Sequence, residues 1–141
     1  MSHFLPDNFD KSKPLVLIAG QGNYPVLLAQ RAGSAGIPIR LVELGEETSD
    51  KLVESFPQNE RTFIKVGQVG KLLKELRKFN SGYAVMAGQV TPGKLFRGLQ
   101  PDLKAVRMLA GLKRKNAETI FGAIGNEIEK SGVHLLDARV F

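Results

Sequence analysis

The sequence has no cysteine and no tryptophan, and only two histidines, His3 and His134, among its 141 residues. That excludes a disulfide framework, a thiol nucleophile and a zinc site built from Cys and His. Neither histidine stands near a serine in a recognisable motif, and His134, inside an apolar stretch, reads as a core or edge residue rather than a base. Asp102, Glu118 and Asp137 do not form a cluster dense enough to predict a Mg2+ site within this chain alone. No apolar run approaches the roughly 20 residues of a membrane-spanning helix. The first 13 residues lack the charged start and apolar run of a signal peptide, so the sequence reads as cytoplasmic.

The remaining composition is that of one globular domain with a hydrophobic core of its own, 43 % hydrophobic and 24 % charged. Lys and Arg outnumber Asp and Glu by 20 to 14, a net charge of +6. Such a chain favours anionic partners: phosphates, nucleic acid or an anionic membrane surface. No nucleic-acid motif or aromatic platform accompanies the charge, which sets nucleic acid aside.

The hydrophobic pattern alternates between two periods. Leu15 to Ala19 and Tyr83 to Ala87 are short continuous apolar runs, each closed by a glycine, as expected of strands buried on both faces of a parallel sheet. Pro38 to Leu44, Arg61 to Val66 and Val133 to Asp137 read as three further strands. Between them lie helical stretches. One begins at Pro25 as first helical residue, with Asn23 or Tyr24 near the cap, and stops near Gly33 or Gly36. A short helix is expected over Asp50 to Phe56, and an amphipathic one carries Val69, Leu72, Leu73, Leu76 and Phe79 on one face. A helix starting at Pro101-Asp102 is expected to show Leu103, Val106, Leu109 and Ala110 on one face, with Lys104, Arg107, Arg114 and Lys115 on another. The last runs from about Glu118 to Lys130. Strand and helix alternating throughout predict an α/β fold, three layers around a mostly parallel sheet of about five strands. Residues 1–14 read as an extension and 15–141 as the domain. The ending at Arg139-Val-Phe141, just after a strand, reads as cut rather than finished.

Three glycine corners stand at predicted strand ends: Gly20-Gln21-Gly22-Asn23, Gly67-Gln68 and Gly88-Gln89. In open parallel sheets that edge is where ligands bind, because helix amino termini direct free N–H groups there. Tight strand-to-helix turns alone would also place glycine at each of these corners, and the repetition of Gly-Gln is what favours a ligand. The dinucleotide fingerprint is incomplete, since Pro25 follows where a third glycine belongs, although Glu43 stands near the distance of a ribose-holding acid. Lys94, Arg97, Lys104, Arg107, Lys113, Arg114 and Lys115 form a basic group that a solvated helix face would also explain. Lys94 and Arg97, beside Gly88, are its candidate anion ligands.

The ordered segments Leu17-Ile-Ala-Gly-Gln-Gly-Asn-Tyr-Pro25, Val66-Gly-Gln-Val-Gly-Lys-Leu-Leu-Lys-Glu-Leu76, Val85-Met-Ala-Gly-Gln-Val90 and Lys94-Leu-Phe96 with Pro101-Asp102 and Arg107 resemble one family across about residues 15 to 137. It is the UDP-2,3-diacylglucosamine pyrophosphatase family of lipid A synthesis, the type unrelated to calcineurin-like metallophosphoesterases. The resemblance implies a Rossmann-like amino-terminal domain, with a carboxyl-terminal catalytic domain absent from this chain. It implies Mg2+ for the full-length enzyme, and UDP-diacylglucosamine or its phosphorylated product bound between the domains. No catalytic residue is inherited here. Substrate binding falls to Gly20, Gln21, Gly22, Asn23, Gly67, Gln68, Gly88, Gln89, Lys94 and Arg97. The chain departs from the family where many members have a Gly-Asp-Asp-like stretch: Lys115-Asn-Ala-Glu-Thr119 stands there, leaving any ligand role to Asn116 and Glu118. Positive charge fits a peripheral position at the inner face of the inner membrane. Homo-oligomerisation is left open, and a non-catalytic nucleotide or sugar-phosphate binding module is the alternative.

Overall fold

A computed structural model describes residues 10, 12–45, 47–65, 67–88, 102–114 and 116–136. Five strands, β1 (Leu15–Ala19), β2 (Ile39–Leu44), β3 (Arg61–Ile64), β4 (Tyr83–Ala87) and β5 (His134–Leu136), form one sheet in the order β3-β2-β1-β4-β5. Every neighbouring pair is parallel. Among the described residues five α-helices accompany them: α1 (Tyr24–Ser34), α2 (Asp50–Glu54), α3 (Val69–Lys78), α4 (Leu103–Ala110) and α5 (Ala117–Lys130).

The central strand explains the layering. All five residues of β1 are buried, and their alternation sends Leu15, Leu17 and Ala19 to one face and Val16 and Ile18 to the other. The first face is covered by Leu28 and Ala32 of α1 and Leu52 of α2, the second by Leu72, Leu73 and Leu76 of α3 and Ile128 of α5. A sheet covered on both sides needs continuous apolar strands, which is why β1 and β4 are the clearest runs in the sequence.

Three expectations are revised. Helix α1 begins at Tyr24 with Asn23 as cap, so Pro25 is its second residue rather than its first; the first turn needs no N–H from either position. Helix α2 ends at Glu54, two residues short of Phe56, which is buried just beyond it. Helix α4 is rotated from its expected face: Leu103 is 65 % exposed and Val106 49 %, while Ala105 is buried and Met108 and Leu109 are half-buried. The docking of α4 through Asp102 and the ion pair of Lys104 Nζ with Glu127 Oε2 of α5, 3.1 Å apart, turn Ala105 inward.

Candidate functional site at the carboxyl rim of the sheet

Because all five strands run parallel, their carboxyl ends share one rim, and the strand order reverses between β1 and β4. That reversal opens the crevice of doubly wound sheets. Gly20 follows β1 and Gly88 follows β4, so two of the three glycine corners flank the switch point. They touch. Gly20 N–H donates to the Ala87 carbonyl at 2.8 Å. A Cβ added to Gly88 would lie 2.7 Å from the Gln21 carbonyl oxygen, 2.8 Å from Gly20 C and 2.9 Å from Pro25 Cγ. With φ at 91° as well, only glycine fits.

The β1 corner is open. Gln21, Gly22, Asn23 and Tyr24 are exposed, the first turn of α1 holds no acid, and Asn23 makes no side-chain cap bond. The amino end of an 11-residue helix therefore turns the positive end of its dipole toward an exposed loop, the arrangement that receives anions. Gln21 differs from expectation in one respect: its Nε2 donates to Oε2 of Glu47, so the amide group is held by the protein.

Glu47 and Thr48, in the loop after β2, are site residues the sequence reading missed. Both are buried, at 3 % and 6 % exposure. Thr48 Oγ1 donates to the Ala19 carbonyl at 2.7 Å and accepts from Leu44 N–H at 2.8 Å, tying the ends of β1 and β2 together behind the open corner. Glu43, considered for a ribose, is half-buried one residue before the end of β2.

The β3 corner is closed. Gln68 Oε1 accepts from Lys65 N–H at 2.8 Å, keeping that side chain within its own turn. The carboxylate of Asp102 occupies the amino end of α3, Oδ2 accepting from Lys71 N–H at 3.1 Å, while Oδ1 accepts from Ala105 N–H at 2.9 Å. One acid thus serves the first turns of two helices. Asp102 N–H also donates to the Gly67 carbonyl at 3.3 Å.

Asn116 caps α5, its Oδ1 accepting from Thr119 N–H at 3.0 Å while Thr119 Oγ1 accepts from Asn116 N–H at 3.1 Å. Glu118 is exposed in that first turn. Both have a helix-start role. His134 is half-exposed on the edge strand β5, edge-on to Tyr83 with ring centroids 6.2 Å apart and 3.7 Å from Glu129. Gln89, Lys94, Arg97, Pro101, Lys115 and Asp137 lie outside the described residues.

Below the rim, on the face of α3 and α5, is a cavity of about 310 Å³. It reaches Gly20, Gly67 and Gly88 and is walled by Ile18, Leu44, Ile64 and Met86 from the sheet, Leu72 from α3, Met108 and Leu109 from α4, and Ile120, Phe121 and Ile124 from α5. None of its described lining residues carries a charge. Among the described residues no three His, Asp or Glu side chains are placed to hold a metal ion, and no helix is long and apolar enough to cross a membrane.

Solved structures share the fold. The Bordetella bronchiseptica enzyme WbmG, crystallised with NAD and UDP, is similar at 17 % identity and a TM-score of 0.52 over 86 % of this chain. The UDP-glucose 4-epimerase of Thermus thermophilus, crystallised with NAD, gives 15 % and 0.49, also over 86 %. Shikimate 5-dehydrogenase from Listeria monocytogenes, with shikimate and NAD, gives 14 % and 0.40 over 89 %. The chain spans 36 % of each of the first two proteins and 45 % of the third. The likeness to WbmG, with the all-parallel sheet, makes this a Rossmann-like α/β domain. No curated protein matches it. Residues 14–141 match the LpxI N-terminal domain, so the chain belongs to that family of lipid A biosynthesis.

Proposed function

We propose that this chain is the amino-terminal substrate-binding domain of an enzyme that hydrolyses UDP-2,3-diacylglucosamine to UMP and 2,3-diacylglucosamine 1-phosphate. The observation that carries the proposal is the open amino end of α1 at the β1–β4 switch point, in a chain of the LpxI N-terminal domain family. A diphosphate is the natural guest there, because exposed amide donors and a helix dipole stabilise phosphate oxygens without any side-chain charge. Gly88 lets the β4 corner lie against that loop, and Lys94 and Arg97, outside the described residues, would add cations to the same phosphates.

In the reaction, water attacks the α-phosphorus, the bond to the bridging oxygen breaks, and the bridging oxygen leaves with the sugar phosphate. Negative charge spreads over the phosphoryl oxygens as that bond breaks, and fixed donors lower the barrier by meeting it. Mg2+ would activate the water in the second domain that this reading requires. The described residues offer no ligand set for the ion, so no step on this chain is routed through it. A basic chain sitting against the anionic inner leaflet would meet an acylated substrate there.

The test is UMP release from UDP-2,3-diacylglucosamine with Mg2+, by the two-domain enzyme and by this chain alone. Release by the first and not by the second is the expected result. Gln89→Ala and Arg97→Ala in the two-domain enzyme are expected to lower kcat/KM about tenfold or more, the scale of a charge-assisted phosphate bond. An inert two-domain enzyme would leave the alternative, a non-catalytic nucleotide or sugar-phosphate binding module.

A further inference from the structure

Glu47 is a costly residue for the place it occupies. It is 3 % exposed behind the α1 corner, and taking a carboxylate out of water is unfavourable unless strong bonds compensate. Thr48, its neighbour, ties the ends of β1 and β2 together with a neutral hydroxyl and no such penalty. The Glu47 carboxylate reaches instead to the corner itself, where Oε2 accepts from Gln21 Nε2. Gln21 is exposed as a residue, so water could satisfy its amide and leave the side chain its rotamer freedom. Holding it inward loses that freedom, and an amide-to-carboxylate bond, about twice as strong as a neutral one, is of the kind that outweighs the loss. The main chain of Gln21 is confined from the other side, since a Cβ on Gly88 would lie 2.7 Å from its carbonyl oxygen. Gln21 thus stands between the segment after β2 and the segment after β4. Its neighbours Gly20 and Gly22 have the conformational freedom of glycine, Gly22 at a φ of 100°, so a grip on the residue between them orders the loop.

We propose that Glu47 is a positioning residue: by gripping Gln21 it keeps loop 20–23 in one arrangement before an anion arrives, so that little ordering is left for the binding step. That the anion is a phosphate rests on the function proposed above. In this role Glu47 touches no ligand and acts through Gln21.

NMR on the 141-residue chain tests this by following the order parameters of the Gly22 and Asn23 amides and their shifts on titration with inorganic phosphate. Glu47→Ala and Gln21→Ala remove the bond from its two ends, while Glu47→Gln keeps an oxygen that accepts from Gln21. Both alanine variants are expected to loosen Gly22 and Asn23 and to weaken phosphate about fivefold, with Glu47→Gln restoring both properties to within about twofold. The double variant Gln21→Ala/Glu47→Ala is expected to bind phosphate as Gln21→Ala does, because a residue that acts through another adds nothing once the other is gone. Should Glu47→Ala not fold, Glu47→Met, which keeps the volume and removes the acceptor, takes its place. Alanine variants that bind phosphate as the unmodified chain does, or a Glu47→Gln variant as weak as Glu47→Ala, overturn the positioning role, while rim amides that respond in the unmodified chain keep the phosphate reading. Gly22 and Asn23 amides silent to phosphate in the unmodified chain overturn that reading, and the role of Glu47 with it.

Discussion

Two of the three Gly-Gln corners, Gly20-Gln21 after β1 and Gly67-Gln68 after β3, each lead into a helix of ten or eleven residues. Only one leaves its helix end to solvent. At α1 the loop is exposed and the first turn has no acid, whereas at α3 the carboxylate of Asp102, 31 residues downstream, takes the place an anionic ligand would take. The dipeptide makes the turn in both cases, and the difference lies in what the rest of the chain brings to it. A positive helix end attracts any negative group within reach, and a tethered carboxylate wins over a dissolved phosphate by its effective concentration. Gly88 belongs to neither type, because its part is to let two corners touch.

The sharpest way to break the open corner is to separate it from β4. Gly88→Val places a branched side chain where even a Cβ would lie 2.7 Å from a carbonyl oxygen, at a φ of 91°. Steric overlap and backbone strain together are expected to cost about 3–5 kcal/mol. Urea unfolding should show the midpoint falling with an unchanged slope, and an unaltered midpoint would mean that the corners do not touch. Next in size is Thr48→Val, which keeps the volume and removes both hydrogen bonds that join Ala19 to Leu44. Leaving a buried carbonyl and a part-buried N–H without partners is expected to cost about 2–3 kcal/mol, read by the same titration.

The fold was legible because its central elements carry redundant signals. Leu15–Ala19 and Tyr83–Ala87 are apolar throughout and end at a glycine, and their observed bounds match the sequence reading residue for residue. Helix α3 was equally clear, with Leu72, Leu73 and Leu76 buried at helical spacing. The site was legible only in part. Glu47 and Thr48 sit in a polar stretch that reads as a surface loop, and nothing local says that the tertiary fold buries them. The bond from Asp102 to Lys71 N–H spans 31 residues, so no local pattern records it. The face of α4 differs from expectation because apolar residues occupy most of an eight-residue helix, and position 105, a small alanine, carries little weight in a hydrophobic wheel although it is the buried one. Gln89, Lys94 and Arg97, the polar half of the expected ligand set, fall outside the described residues.

The smallest expected change in stability sharpens the comparison most. Asp102→Ala removes an acceptor from two helix starts, yet α3 and α4 remain held by their packing and Asp102 is only half-buried, so the cost is expected to be about 1–2 kcal/mol. Its larger consequence is electrostatic. With the carboxylate gone, the amino end of α3 acquires the property that α1 already has, and inorganic phosphate should then shift the amides of Gly70 and Lys71 as well as those of Gly22 and Asn23. Asp102→Asn separates charge from capping: the amide oxygen still accepts from Ala105 N–H, so stability should fall by less than in the alanine variant, while the negative charge that excludes phosphate from α3 is lost. If neither variant makes Gly70 and Lys71 respond, the carboxylate is not what closes the β3 corner, and the distinction between the two glycine corners has to be sought in the shape of their loops.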